Sequence, residues 1–273
     1  MIPNLNMYTK TLGKENAVLF TSLASQGRMV FSISEAQQVT CKGYQATLQA
    51  LHRLVNAGWL VRLGAGKYAI VSPEAGGDAI PTANRLVIGR ELVGEAPYYL
   101  SHESSLEVHN LLTRPVTSVS ITTPRRLKNR LVLKVPYRFI FSKPSDMWGF
   151  SLTWVSAEEQ VQVSDPERTI LDGLARPDLC GGITEVATAL QIGKEKFDWS
   201  KLAAYAQRLG YNSVIKRLGF LLELFGMGSY SAITSLQDVI SSSYTLLDPL
   251  LPEEGKYLAR WRIQVNLDPD MLK

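Results

Sequence analysis

A chain of 273 residues, 45% hydrophobic and 20% charged, has ample material for a core and divides on length into one large or two modest domains. Two cysteines, Cys41 and Cys180, with no CxxC spacing, argue against a disulfide framework or a zinc site, and no apolar run approaches membrane-spanning length. The net charge of +4 is unevenly placed: residues 1–72 carry +5, leaving −1 on the other 201.

In chain order, residues 1–10 form a loose polar arm. Lys14 to Ala24 follows as a helix, with Val18, Leu19 and Leu23 as its core stripe, ended by Gln26-Gly27. Arg28–Phe31 suits a short edge strand. Ser32 caps the next helix, and Glu35 three residues on completes a capping box. That helix ends near Thr40–Cys41. A second runs from Gly43 to Ala57, stopped by Gly58. Its Leu48, Leu51, Leu54 and Val55 recur at three- and four-residue spacing on one buried face. The opposite face carries Lys42, Gln45, Gln49, His52 and Asn56, with Tyr44 and Thr47 at its flanks. Trp59–Arg62 and Lys67–Val71 are strands joined by Gly64-Ala65-Gly66, rich in the residue that tolerates positive φ.

Two helices followed by a hairpin outline a winged helix-turn-helix. A small α+β packing unit whose polar face simply meets water shares that outline, and charge separates the two. An excess of cations confined to this segment is the footprint phosphate binding requires. The candidate DNA contacts are therefore Lys42, Tyr44, Gln45, Thr47, Gln49 and Arg53 on and before the second helix, and Arg62 and Lys67 beside the wing tip.

Ser72–Asp78 is a turn-rich acidic connector, which places a winged domain at 1–75 and a second domain at 76–273. The second opens with a helix over Asn84–Val93 and a strand over Tyr98–Leu100. Ser101 then caps a helix carrying Ser105, Leu106, His109 and Leu112. Val116–Thr122 alternates as a half-buried strand, and Leu131–Val135, Tyr137–Phe141 and Trp148–Val155 extend it to a sheet of four or more strands. From Asp165 the pattern turns helical, over Asp165–Leu174, Gly182–Leu190, Trp199–Leu209 and Ser213–Leu224, with Ser164 and Glu167 as a capping box and Pro166 at the first helical position. Trp261–Leu267 alternates again and suits a strand returning to the sheet. The fold class is α+β: a winged helix-turn-helix, then a larger mixed domain of central sheet plus helical block.

A second basic feature, Arg125, Arg126, Lys128 and Arg130, lies in a stretch between Glu107 and Asp146 that holds no acid. Edge-protecting charge on a solvated hairpin and a second phosphate contact account for it equally. Little suggests catalysis. His52, His102 and His109 lie in no metal-ligand spacing, and no phosphate-cradling or nucleophile-elbow motif is present. Asp165, Glu167 and Asp172 are close enough in sequence to hold a hard cation. Helix start and solvent face explain them as well, and no lysine is positioned beside them in the sequence. No cofactor or metal is expected.

The blocks SDPERTILDGLARPDLCGGITEV (164–186) and SVIKRLGFLLELFG (213–226), in that order behind a wing LVRLGAGKYAI (60–70), resemble the AbiEi family of antitoxins along essentially the full chain. The resemblance implies a cytoplasmic, non-enzymatic protein that binds inverted repeats in its own promoter and represses it. It further implies that the C-terminal domain neutralises an AbiEii-like nucleotidyltransferase toxin, without a stable complex being required. Asp165, Arg168, Asp172 and Arg217 are its motif residues, and Arg168 with Asp172 at four-residue spacing suits a helix-face ion pair. It raises the weight on Arg125–Arg130 as a DNA contact, while Ala65 stands where a basic wing residue is common. With no heptad seam, a monomer that pairs on DNA is expected. The other readings are a DNA-targeted metal-dependent nuclease using Asp165, Glu167 and Glu185, and a ligand-sensing transcription factor.

Overall fold

The computed structural model describes residues 13–25, 28–64, 66–71 and 83–272; the arm at 1–10, the Gln26-Gly27 turn, Ala65 and the connector at 72–78 lie outside the described residues. The fold is α+β. The chain forms two compact units, 1–94 with 131–135 and 154–160, and the remaining residues.

In the first unit α1 (Lys14–Ser25), β1 (Val30–Ser32), α2 (Ile33–Thr40) and α3 (Tyr44–Asn56) lead into the wing strands β2 (Leu60–Gly64) and β3 (Lys67–Ile70). The strands pair antiparallel in the order β1-β3-β2, with Phe31 opposite Tyr68 and Val61 opposite Ala69. The Ser32–Glu35 capping box forms as expected, Cys41 ends α2 in the left-handed region at φ 54°, and Gly58 does the same after α3 at φ 72°. Leu19, Leu23, Phe31, Leu51, Leu54, Trp59 and Tyr68 fill the core. Val18 does not join them and is 54% exposed. The buried stripe of α1 runs through 19, 20 and 23, with Phe20 edge-on to Trp59 at 5.9 Å, so Val18 falls on the solvent side.

The first unit runs past residue 75, to Gly94. The helix α4 (Arg85–Val93), capped by the Asn84 side chain, packs on β2 and pairs its Glu91 with Lys67 of β3.

The second unit holds β4 (Tyr99–Leu100), α5 (His102–Val108), β5 (Val119–Thr123) and the bulk of β7 (Val135–Phe141), β8 (Phe150–Trp154) and β9 (Gln160–Ser164), whereas Leu131 and Val132 of β6 (Arg130–Val132) belong to the first. In the second unit the strands lie in the order β7-β5-β4-β9-β8, with β5 parallel to β7, β4 parallel to β9 and β4 antiparallel to β5. The strand β9 was not expected from the sequence. Nor is β5 half-exposed: all five of its residues are buried. Of its polar side chains, those of Thr122 and Thr123 bond protein groups rather than water, while the buried Ser120 hydroxyl has no hydrogen-bond partner among the described residues. Thr122 Oγ1 donates to Ser101 Oγ at 2.8 Å, Thr123 Oγ1 to the Pro97 carbonyl at 2.8 Å, and the Ser120 amide to Ser104 Oγ at 2.8 Å. Ser101, thus occupied, stands at the N-cap position of α5 without capping it, and the helix stops at Val108, short of His109 and Leu112.

The helical block comprises α6 (Pro166–Ala175), α7 (Ile183–Ile192), α8 (Trp199–Leu209), α9 (Asn212–Leu224) and α10 (Tyr230–Gln237). Asp165, not Ser164, caps α6: its carboxylate accepts the Arg168 amide at 2.8 Å, because Ser164 is the last residue of β9. The C-terminal strand β12 (Ile263–Val265) does not return to the main sheet. It lies between β10 (Thr245–Leu246) and β11 (Lys256–Leu258) in a sheet of its own. Trp261, just before it, buries its ring against Gly219 of α9, where a Cβ would come within 2.1 Å of Cζ3.

Candidate nucleic-acid interface

The helix α3 divides its faces by spacing. Thr47, Leu51 and Leu54 point inward, whereas Gln45, Gln49, His52, Arg53 and Asn56 form an exposed strip, with Tyr44 52% exposed at its N-terminal end. Thr47 is therefore not a DNA contact. It is 1% exposed, on the core stripe, and its hydroxyl reaches the Lys42 carbonyl at 3.5 Å. Lys42 is half-buried in the turn between α2 and α3.

On the wing the two candidate cations differ. Arg62 is exposed on β2. Lys67 turns to Glu91, which also accepts Arg90 Nε at 2.8 Å, and Arg90 pairs in turn with Glu159 at 2.9 Å. Lys67 is thus neutralised within its own unit. Nearby, Arg28 pairs with Glu35. Burial works against the Glu35 carboxylate, but the Ser32 amide and hydroxyl, with Arg28 and Lys67, hold its pKa below the usual value. Between α3 and the wing lies a groove of about 620 Å³ bordered by Tyr44, Gln49, Arg53 and Arg62.

In the second unit Arg125, Arg126, Lys128 and Arg130 are all exposed in the segment between β5 and the start of β6. The segment is anchored, since Asn129 Oδ1 accepts the Phe139 amide at 3.0 Å and the Arg126 guanidinium lies 4.2 Å from the centre of the Phe141 ring. Three guanidinium groups, one of them stacked, and one ammonium on this segment can meet phosphates.

The motif residues are interior. Arg168 Nε donates to Asp172 Oδ1 at 2.8 Å with both side chains nearly excluded from solvent, so the expected ion pair exists, but Asp172 does not face water. The same guanidinium donates to the Tyr99 hydroxyl at 3.0 Å and stacks 4.3 Å from the Trp148 ring. Arg217 donates to the Leu174 carbonyl at 2.7 Å and the Leu246 carbonyl at 3.1 Å, satisfying the end of α6; burial, only partly opposed by Asp248, pushes its pKa down to about 10. Beside it Lys216 is fully buried and donates to Ser241 Oγ at 2.9 Å.

Sequence reasoning missed Lys201, which sits one helix away from its partners. Its ammonium lies 3.1 Å from Asp165 and 2.8 Å from Glu167. Desolvation pulls its pKa down, but the bonds to Glu167 and Asp165 outweigh that and hold it above the ordinary lysine value. A permanently charged ammonium occupies the position a cation would need between those carboxylates. Glu185 is not brought to them and pairs with Arg114 at 3.5 Å. Among the described residues no group of three or more His, Cys, Asp and Glu is placed to hold a metal ion. Both cysteines are free, Cys41 exposed and Cys180 buried. Among the described residues no helix is long and apolar enough to cross a membrane.

No family model matches the sequence, and no curated protein matches it either. The chain is similar in fold to the RV2827C protein of Mycobacterium tuberculosis, whose crystal structure superposes with a TM-score of 0.70 over 93% of this chain and 92% of that one, at 17% identity. At that identity the likeness concerns the fold alone.

Proposed function

We propose that the protein is a DNA-binding antitoxin of the AbiEi kind, cytoplasmic and non-enzymatic, which represses its own promoter by binding inverted repeats. The observation that carries the reading is the face of α3: Gln45, Gln49 and Arg53, all exposed, at four-residue spacing beside a wing bearing Arg62. Glutamine and arginine are the side chains suited to bidentate readout of adenine and guanine edges in the major groove. Arg125, Arg126, Lys128 and Arg130 supply a second contact to phosphates. The chain pairs on DNA from a monomeric state, and its second unit counters a nucleotidyltransferase-like toxin without a lasting complex. The role of that unit's motif residues is to hold its fold, since Arg168, Asp172 and Arg217 are buried.

The test is a gel-shift titration on the DNA upstream of the gene, with and without chelator. A sequence-specific, chelator-insensitive shift is expected, weakened by Gln49→Ala/Arg53→Ala and by Arg125→Ala/Arg126→Ala. No specific shift, or cleavage that depends on added metal, would overturn the reading.

A further inference from the structure

The groove between α3 and the wing has a composition that DNA binding alone does not call for. Its floor is apolar: Ile33 of α2, Leu48 and Val55 of α3, and Tyr68 of β3. Leu48 and Val55 have the spacing of core residues yet stay only half-buried, because each gives part of its surface to this hollow, Val55 packing its remainder against the core. Arg53 and Arg62 add two guanidinium groups, and no acid lines the groove among the described residues. The hollow is preformed: the Ile33 amide donates to the Gly66 carbonyl at 3.0 Å, and β1 pairs with β3, fixing the wing base beside the floor. Its volume of about 620 Å³ lies in the range of small-molecule sites. A phosphodiester would use the cations and leave the floor uncovered. A compact apolar body carrying one negative charge would use both.

We propose that this groove binds a small apolar anion, an aromatic carboxylate, with its ring on Leu48, Val55 and Tyr68 and its charge on Arg53 and Arg62, and that occupation excludes DNA from the same face. The binding half of this proposal stands by itself. The exclusion half rests on the DNA-binding reading.

The experiment uses the full-length protein and 1-naphthoate, followed by calorimetry and by amide shifts of α3, β2 and β3. Saturable one-to-one binding is expected, weakened about tenfold or more in Arg53→Gln/Arg62→Gln and for the neutral analogue 1-naphthalenemethanol, as a lost charge-assisted contact implies. Leu48→Trp, which fills the hollow from an already half-exposed position, should abolish binding while leaving the melting temperature unchanged. Absence of saturable binding to the wild type overturns the proposal, as does binding indifferent to the arginines and to Leu48→Trp. In the parallel gel shift, saturating naphthoate should raise the DNA midpoint. A DNA midpoint that does not move refutes the exclusion, and a protein that takes naphthoate but no DNA sinks the antitoxin reading while the anion site stands.

Discussion

Replacing Arg168 with leucine tests the claim that the motif residues of the second unit are scaffold. Arg168 and Asp172 are 2.8 Å apart with side chains only 3% and 8% exposed. The guanidinium also holds the Tyr99 hydroxyl and covers Trp148. Removing it strands a carboxylate in a site water scarcely reaches, a change that costs about 3–5 kcal/mol in comparable buried pairs. Exposed helix pairs at the same four-residue spacing are worth about 0.2–0.5 kcal/mol, so the two situations differ roughly tenfold. Arg168→Leu/Asp172→Leu removes both charges and should be more stable than Arg168→Leu alone. Arg168→Lys should not rescue, because one ammonium cannot bond Asp172 and the Tyr99 hydroxyl while stacking on Trp148. Urea unfolding followed by tryptophan fluorescence measures these three variants and Asp172→Leu against the wild type. A cost below about 1 kcal/mol for Arg168→Leu, or strict additivity in the double variant, would show that the pair is not a buried unit and would refute the reasoning.

Gly219→Ala, a change that usually favours a helix by about 1 kcal/mol, should here destabilise by about 1–3 kcal/mol, since the new Cβ would lie 2.1 Å from Trp261 Cζ3; a melting temperature equal to the wild type's contradicts that packing. Burial holds His102 and His109 below the ordinary imidazole value of 6.5, so the stability they contribute is complete above that pH and is lost as pH falls through their folded values. The slope is up to about 1.4 kcal/mol per pH unit for each, and His102→Asn, which suits the left-handed backbone there, should lessen it; unfolding free energies that stay flat from about pH 7 to 5 argue against it. On DNA, a protein engaging only Lys42, Arg53 and Arg62 should show a log–log salt slope of about −3, and one that adds Arg125, Arg126, Lys128 and Arg130 about −6. A slope near −3 that Arg125→Ala/Arg126→Ala leaves unchanged would remove the second patch from the interface.

The first unit was largely legible because its signals are local. The Ser32–Glu35 box, the glycine after α3 and the three- and four-residue spacing of Leu51 and Leu54 each act within a turn or two of helix. What failed depended on partners distant in sequence. Nothing local distinguishes Lys67 from Arg62, and only Glu91, 24 residues further on, decides that Lys67 is spent internally. Thr47 was misplaced because a small polar residue at a face boundary is assigned by its neighbours' packing, not by its own polarity. In β5 the alternation of valine, serine and threonine suggests one wet face, but the Ser101 hydroxyl and the Pro97 carbonyl take the threonine hydroxyls in place of water. Lys201 is the same case at the candidate carboxylates: α6 was legible, and the helix that answers its acids was not paired with it.

That pattern bears on where the protein's activity resides. The blocks at 164–186 and 213–226, which carry the family resemblance, contribute α6, α7 and α9, and several of their charged members are engaged inside the fold. Arg168 is taken by Asp172 and Tyr99, Arg217 by the carbonyls of Leu174 and Leu246, and Asp165 and Glu167 by Lys201. A charge buried and engaged in this way costs desolvation to keep and is not presented to a partner, so such residues specify how the helices dock on each other. Arg176, Asp178 and Glu223 of those blocks do reach the surface but are held in ion pairs, Arg176 with Asp178 and Glu223 with Arg260, so on the proposed reading contact with a partner comes from side chains outside the blocks. In the first unit the exposed strip of α3 and Arg62 meet that requirement, and in the second the arginines and lysine from 125 to 130 do. The substitutions that separate fold from function accordingly fall outside the motif: Arg53, Arg62, Arg125 and Arg126 should alter binding at constant stability, and Arg168 and Arg217 should alter stability first.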